Sequence, residues 1–175
     1  MTRIPCRGGR FVECLDDDHW KAPAWRGTVA QTFTMDLTRI PGSVRPWWRR
    51  VLREAFQVDS VAQVRGISHT ALWFCRFHAA TTRALSTTWD EWTAPDWGAY
   101  AEWLKDQKGF ENRPLSHEYR RGQFLWLAAA ARHAIDVGLP GTSEVTVARI
   151  QSVSRRAFRG TGTLSNQRMQ RRGAA

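Results

Sequence analysis

Lysine is almost missing from this sequence. Only Lys21, Lys105 and Lys108 stand beside 23 arginines, and against 16 acidic residues the basic side chains leave a formal charge of +10 over 175 residues. Cysteine is scarce and odd in number: Cys6, Cys14 and Cys75 provide neither an even disulfide framework nor paired metal-ligand spacing. With no secretory signal pattern either, a reduced, cytoplasmic setting is expected. No run of 18 apolar residues is present, which excludes a membrane-spanning helix. The basic residues are spread over several helical segments, which counts against a membrane-surface role as well. The five histidines form no H-x-x-x-H or H-E-x-x-H pair, and Cys6, Cys14 and His19 are too irregularly placed to define a metal site. Asp16-Asp17-Asp18 reads as a solvated turn. No glycine-rich phosphate loop follows a strand, no G-x-S-x-G elbow is present, and there is no internal repeat. No metal, cofactor or small-molecule ligand is expected.

What is present is arginine. A planar guanidinium donates paired hydrogen bonds and is weakly hydrated, so the composition suits phosphate oxygens and favours an anionic polymer as partner. The charge is uneven, since residues 140–175 carry seven arginines against the single acid Glu144. From Arg155 to Arg172 the chain is poor in large apolar residues and rich in Gly, Ser and Arg. This predicts an unfolded end, serving either as a solvated tail or as an electrostatic arm.

The length suits one domain with appendages, and the periodicity is mainly helical. Three parts are read: an extension over 1–42, a helical domain over 43–140 and a basic, partly helical tail over 141–175. The first 40 residues read as irregular apart from one strand, in which Val29, Phe33, Met35 and Leu37 alternate with small or polar residues until Ile40-Pro41-Gly42 ends it. A helix is expected from a Ser43 cap, with Pro46 in its first turn, an apolar face of Val44, Trp48, Val51, Leu52 and Ala55, and a basic stripe of Arg45, Arg49 and Arg53. A second, over 67–85 with Ser68 as cap, buries Ile67, Ala71, Trp73, Phe74, Phe77 and Thr81 and turns Arg76 and Arg83 outward. A third starts at the capping box Thr93-Ala94-Pro95-Asp96, presents Trp97, Tyr100, Ala101 and Leu104, and stops by Gly109. After a polar loop over 109–115, Ser116 caps the longest helix. Its apolar centre over 124–131 marks it as packed on more than one side, and Gly138 stops it. A weaker helix is expected over 145–158. Most of the ten tryptophans lie on faces rich in other apolar residues, so they are read as core rather than as base-stacking platforms.

Three features in fixed order carry a resemblance: Phe33-x-Met35-Asp36-Leu37-x-x-Ile40-Pro41, then Arg45-Pro46-Trp47-Trp48-Arg49, then the helical domain. This order resembles the N-terminal region of tyrosine recombinases (phage integrases), where a strand and turn precede a SAM-like core-binding domain. Residues 68–77 are similar to the first helix of that domain, 96–104 to the second and 121–135 to the third. The resemblance covers about residues 30–140. It implies a four-helix half-clamp around double-stranded DNA, with Lys105, Lys108, Arg120, Arg121, Arg155 and Arg156 as the phosphate-facing positions. Their expected role is to position the protein on the backbone. Self-association on DNA is left open.

In that family the cutting tyrosine and its arginines belong to a further domain, for which the chain leaves no room. His117-Glu118-Tyr119-Arg120 fits the H-x-x-R pattern, but no tyrosine follows Tyr119. The chain alone is therefore expected to be non-catalytic. The reading is the DNA-binding portion of a mobile-element integrase. The alternatives are an inactive truncated or frameshifted integrase remnant, or a helical protein-interaction module.

Overall fold

The computed structural model describes residues 2–7, 9–23, 32–81 and 86–159. Four short strands lead into five helices: β1 (Thr2–Pro5), β2 (Phe11–Cys14), β3 (His19–Pro23), β4 (Thr32–Asp36), α1 (Arg45–Val58), α2 (Val61–Ala80), α3 (Ala94–Lys105), α4 (His117–Asp136) and α5 (Glu144–Ala157). The chain is mainly helical, as its periodicity predicts. The expectation of a single strand is wrong, because the strands form an antiparallel meander in the order β1-β2-β3-β4. Ile4 stands opposite Val12, and Trp20 opposite Met35. Alternation puts Ile4, Val12, Cys14, Trp20, Ala22 and Met35 inside while Arg3, Phe11, Lys21 and Thr34 stay exposed. The first strand contributes one buried residue and the second two, too few for a period-2 pattern to stand out. Of the expected strand, residues 29–31 lie outside the described residues.

The sheet packs on α1. Trp20 meets Phe56 at 6.4 Å, and the Arg7 N–H donates to the Phe56 carbonyl at 3.0 Å. The β2–β3 turn is built by Asp16, whose Oδ1 accepts from the N–H groups of Asp18 and His19, both at 2.8 Å. Asp18 then reaches α1, accepting from Arg45 Nη1 and Arg49 Nε, each at 3.0 Å. The expected basic stripe of α1 is therefore largely spent within the fold. These guanidiniums, Arg49 foremost, hold the Asp18 carboxyl below the ordinary carboxylate range.

Two helix starts differ from expectation. Val44, not Ser43, precedes α1, and no side chain caps it. The second helix begins six residues earlier than Ile67, at Val61, because Ser60 and Gln63 form a capping box. Ser60 Oγ accepts from the Gln63 N–H at 3.3 Å, and Gln63 Oε1 accepts from the Ser60 N–H at 3.2 Å. Ser68 lies inside α2 and donates to the Arg65 carbonyl. The expected extension to Leu85, with Arg83, falls outside the described residues. The Thr93/Asp96 box opens α3, Ser116 caps α4, and α3 ends at Lys105, four residues before Gly109. At the end of α4 the Gly138 N–H bonds to the Ile135 carbonyl and the Leu139 N–H to the Ala134 carbonyl. This closure needs the left-handed φ of 69° that glycine takes freely.

The middle of α4 is central, in contact with α1, α2 and α5. Its partner α2 runs antiparallel: Gly66 lies against Trp126, Thr70 Oγ1 donates to Gln123 Oε1 at 2.8 Å, and Trp73 Nε1 donates to the Tyr119 hydroxyl at 2.9 Å. Trp47, Trp48, Trp89, Trp92 and Trp97 gather with Phe74, Phe77 and Tyr100 in one buried aromatic cluster. The tryptophans described are thus mostly core, each worth on the order of 2–3 kcal/mol. Asp90 anchors the start of α5, accepting from Ser143 Oγ at 2.8 Å and Thr146 Oγ1 at 2.6 Å. Partial burial pushes the Asp90 carboxyl up, but these hydrogen bonds outweigh it and leave the group below its ordinary value.

Candidate functional site

Helix direction gathers the predicted basic residues. Asp90 and Trp92, just before α3, hold the first half of α5 through Ser143 and Arg149, so α3 and α5 start together. They also finish together: Trp103 near the end of α3 meets Trp73 at 6.1 Å, Trp73 donates to the Tyr119 hydroxyl at the start of α4, and His117 stacks edge-on against Phe158 at 5.3 Å. The end of α3, the start of α4 and the end of α5 therefore share one end of the bundle. Lys105 closes α3, Lys108 follows in the connecting loop, Arg120 and Arg121 belong to the first turns of α4, and Arg155 and Arg156 to the last turn of α5.

The six differ in how free their charge is. Lys105 is paired to Glu102 at 2.7 Å, three residues back on its own helix. Lys108 is exposed and forms an isolated bridge with Pro114 through its backbone. Arg120 is half-buried, its Nε shut from solvent without a hydrogen-bond partner among the described residues, whereas Arg121 is exposed. Arg155 and Arg156 are both exposed, and Arg156 Nη2 lies 3.4 Å from Ser152 Oγ. Ser152, Arg155, Arg156 and Arg159 line one open depression, as their spacing on a single helical face requires. None of these three arginines has an acidic partner among the described residues. Like charges at this spacing repel, so an anion bound between them relieves a standing cost. The negative end of the α5 dipole stabilises them in part. The residues after Arg159, including the rest of the expected tail, lie outside the described residues.

Two neighbours escaped the sequence reading of the site. Arg76, seen there only as outward-facing, lies over the Trp73 ring with its guanidinium carbon 4.9 Å from the centroid. Trp73 in turn is tied to Tyr119 in α4, so Arg76 belongs to this end. The other is Phe110, a large ring in a loop read as polar, which is 88% exposed. Its successors Glu111 and Asn112 both take left-handed φ, 54° and 58°, at a cost of about 1 kcal/mol each for non-glycine residues.

Within the H-x-x-R stretch, His117 packs edge-on against Phe158 and the Tyr119 hydroxyl accepts from the Trp73 indole. Among the described residues no group of three His, Cys, Asp or Glu is placed to hold a metal ion. Cys6, Cys14 and Cys75 are free and buried, and burial pushes the Cys75 thiol up to about 11. A cleft between β4 and α2, lined by Phe33, Met35, Arg39 and His69, encloses about 140 Å³, below the roughly 300 Å³ where small-molecule sites begin. No described helix is long and apolar enough to cross a membrane. No family model, no curated protein and no solved structure matches the chain.

Proposed function

We propose that this chain is the DNA-gripping portion of a tyrosine-recombinase (integrase) type protein of a mobile element, acting in the cytoplasm. In this reading α2 to α5 are the four helices of a SAM-like core-binding domain, and the basic end of the bundle clamps duplex DNA. One observation carries it: Lys105, Lys108, Arg120, Arg121, Arg155 and Arg156, separated by up to 51 positions in sequence, come to one end of the bundle. Three features support it: the dominance of arginine over lysine, the uncompensated charge of the Arg155, Arg156 and Arg159 face, and the order of strand, turn and helices. The six side chains position the protein on phosphates, and no residue of the chain is assigned a catalytic role.

The test is a titration of a labelled duplex of about 30 base pairs with the protein, repeated over a range of salt. Six phosphate contacts give a slope of log affinity against log salt of about −5. A flat response, or no binding in low salt, would refute the reading and favour a helical protein-interaction module.

A further inference from the structure

The α3–α4 loop presents a bare aromatic ring at the basic end of the bundle. Phe110, at 88% exposure, is the most exposed of the large apolar side chains described. The loop that carries it is well tied. The Gly109 N–H donates to the Arg113 carbonyl at 2.8 Å, the Leu115 N–H to the Gln107 carbonyl at 3.2 Å, and Lys108 and Pro114 face each other as an antiparallel bridge. Arg113 Nη2 clips Glu111 at 2.7 Å across the apex. The chain accepts two consecutive left-handed residues, Glu111 and Asn112, to make this turn. A loop that only had to join α3 to α4 gains nothing from a strained apex or from holding a phenyl ring in water. What distinguishes this ring from a lone exposed apolar residue is its place, on an ordered turn beside Lys108 at the end of the bundle where Arg121 and Arg155 also stand.

We infer that Phe110 is a wedge that enters a base step of bound duplex DNA and partly unstacks it, while Lys108 beside it takes a flanking phosphate. This rests on the DNA-binding reading above. Proteins that deform duplex DNA insert apolar side chains of this kind between base pairs, and the partly opened step offers an apolar slot next to anionic oxygens. Charge favours this occupant over a second copy of the chain. Docking the same end of two copies would bring Lys108, Arg121 and Arg155 of each against their like, whereas a duplex brings the opposite charge to the same place.

The wedge is tested without knowing a target sequence. Closed circular plasmid is relaxed by a type I topoisomerase under saturating protein, the protein is removed, and the linking-number distribution is read on a gel. The wild-type protein leaves the purified plasmid negatively supercoiled, because an opened step unwinds the duplex. Phe110→Ala removes no phosphate contact and keeps the wild-type salt slope, yet at saturating protein leaves the distribution unshifted. Phe110→Leu, still an apolar wedge, retains the shift. Unchanged thermal midpoints confirm that both variants fold. The wedge is overturned if Phe110→Ala shifts the plasmid as far as wild type, or if wild type binds without any shift. It is equally overturned if the substitution abolishes only self-association in sedimentation, which would make Phe110 a contact between copies. Failure of the wild-type protein to bind plasmid at all would overturn the DNA reading itself.

Discussion

Replacing Arg155 and Arg156 together by alanine tests the proposed grip where its charge is least compensated. Both side chains are exposed on the last turn of α5, and the one hydrogen bond described for them is a long one from Arg156 to Ser152, so the fold is expected to survive. If each contacts one phosphate, the salt slope falls in magnitude by about 0.9 per arginine, from about −5 to about −3.5 for a six-contact grip. With the salt-independent part of the affinity unchanged, the same relation makes each contact worth about eightfold at 0.1 M salt, and the pair about 60-fold. Lys105→Ala is expected to cost less than either arginine, because Glu102 already neutralises Lys105 at 2.7 Å. The charge-matched control is Arg3→Ala with Arg7→Ala. These two exposed arginines belong to the sheet side of the molecule, which packs on α1. Fluorescence anisotropy on a labelled duplex at four or five salt concentrations reads both slope and affinity. The reasoning fails if the α5 double variant keeps the parent slope. It also fails if the sheet double variant loses as much, since net charge alone would then account for binding.

Three further outcomes concern the fold. A Cβ added at Gly66 would overlap the Trp126 indole at the α2–α4 contact, so Gly66→Ala should cost about 1–3 kcal/mol. For a chain of this size that is a fall of about 2–10 °C in thermal midpoint, smaller when Trp126→Ala is also present, and an unchanged midpoint would show that the helices do not meet there. The Asp18 carboxyl is held below its ordinary value by Arg49 and Arg45, so its stabilisation is complete above the unfolded value near 4 and is lost as pH falls through the lower folded value. Asp18→Asn should be about 2 kcal/mol less stable at pH 7, with the gap to wild type closing in melts below pH 4; a constant gap would contradict the ion pairs. Cys75, with its thiol pushed up to about 11 by burial, should resist a thiol reagent at pH 8 until the protein unfolds, so rapid labelling of the native protein at this site would refute its placement.

Helix-forming information is local, and most of the helix ends carry it within a turn of themselves. The Thr93/Asp96 box, the Ser116 cap and the Gly138 stop each lie within a few residues of the helix end they define, and the burial of Trp97, Tyr100 and Leu104 follows from spacing alone. The same kind of local signal stands at Ser60 and Gln63, whose capping box opens α2 six residues before the expected start at Ile67. In the first 23 residues the local signal is weak. Strands of four or five residues place only one to three side chains in the core, and their stability comes from partners across the meander. Gly9, at a φ of 78°, turns the chain between β1 and β2.

By itself, the sequence determined a mainly helical chain with a tryptophan-rich core and an arginine-rich surface suited to phosphate. Composition and the 3.6-residue period act over one or two turns and need no distant partner. Which arginines remain available was decided only by the tertiary structure. Asp18 removes Arg45 and Arg49 from the basic surface across 27 and 31 positions, while antiparallel α4 and α5 bring Arg120 and Arg121 to the same end as Arg155 and Arg156. The exposure of Phe110 was also decided there, because burial depends on what the rest of the fold leaves uncovered and not on the residue itself.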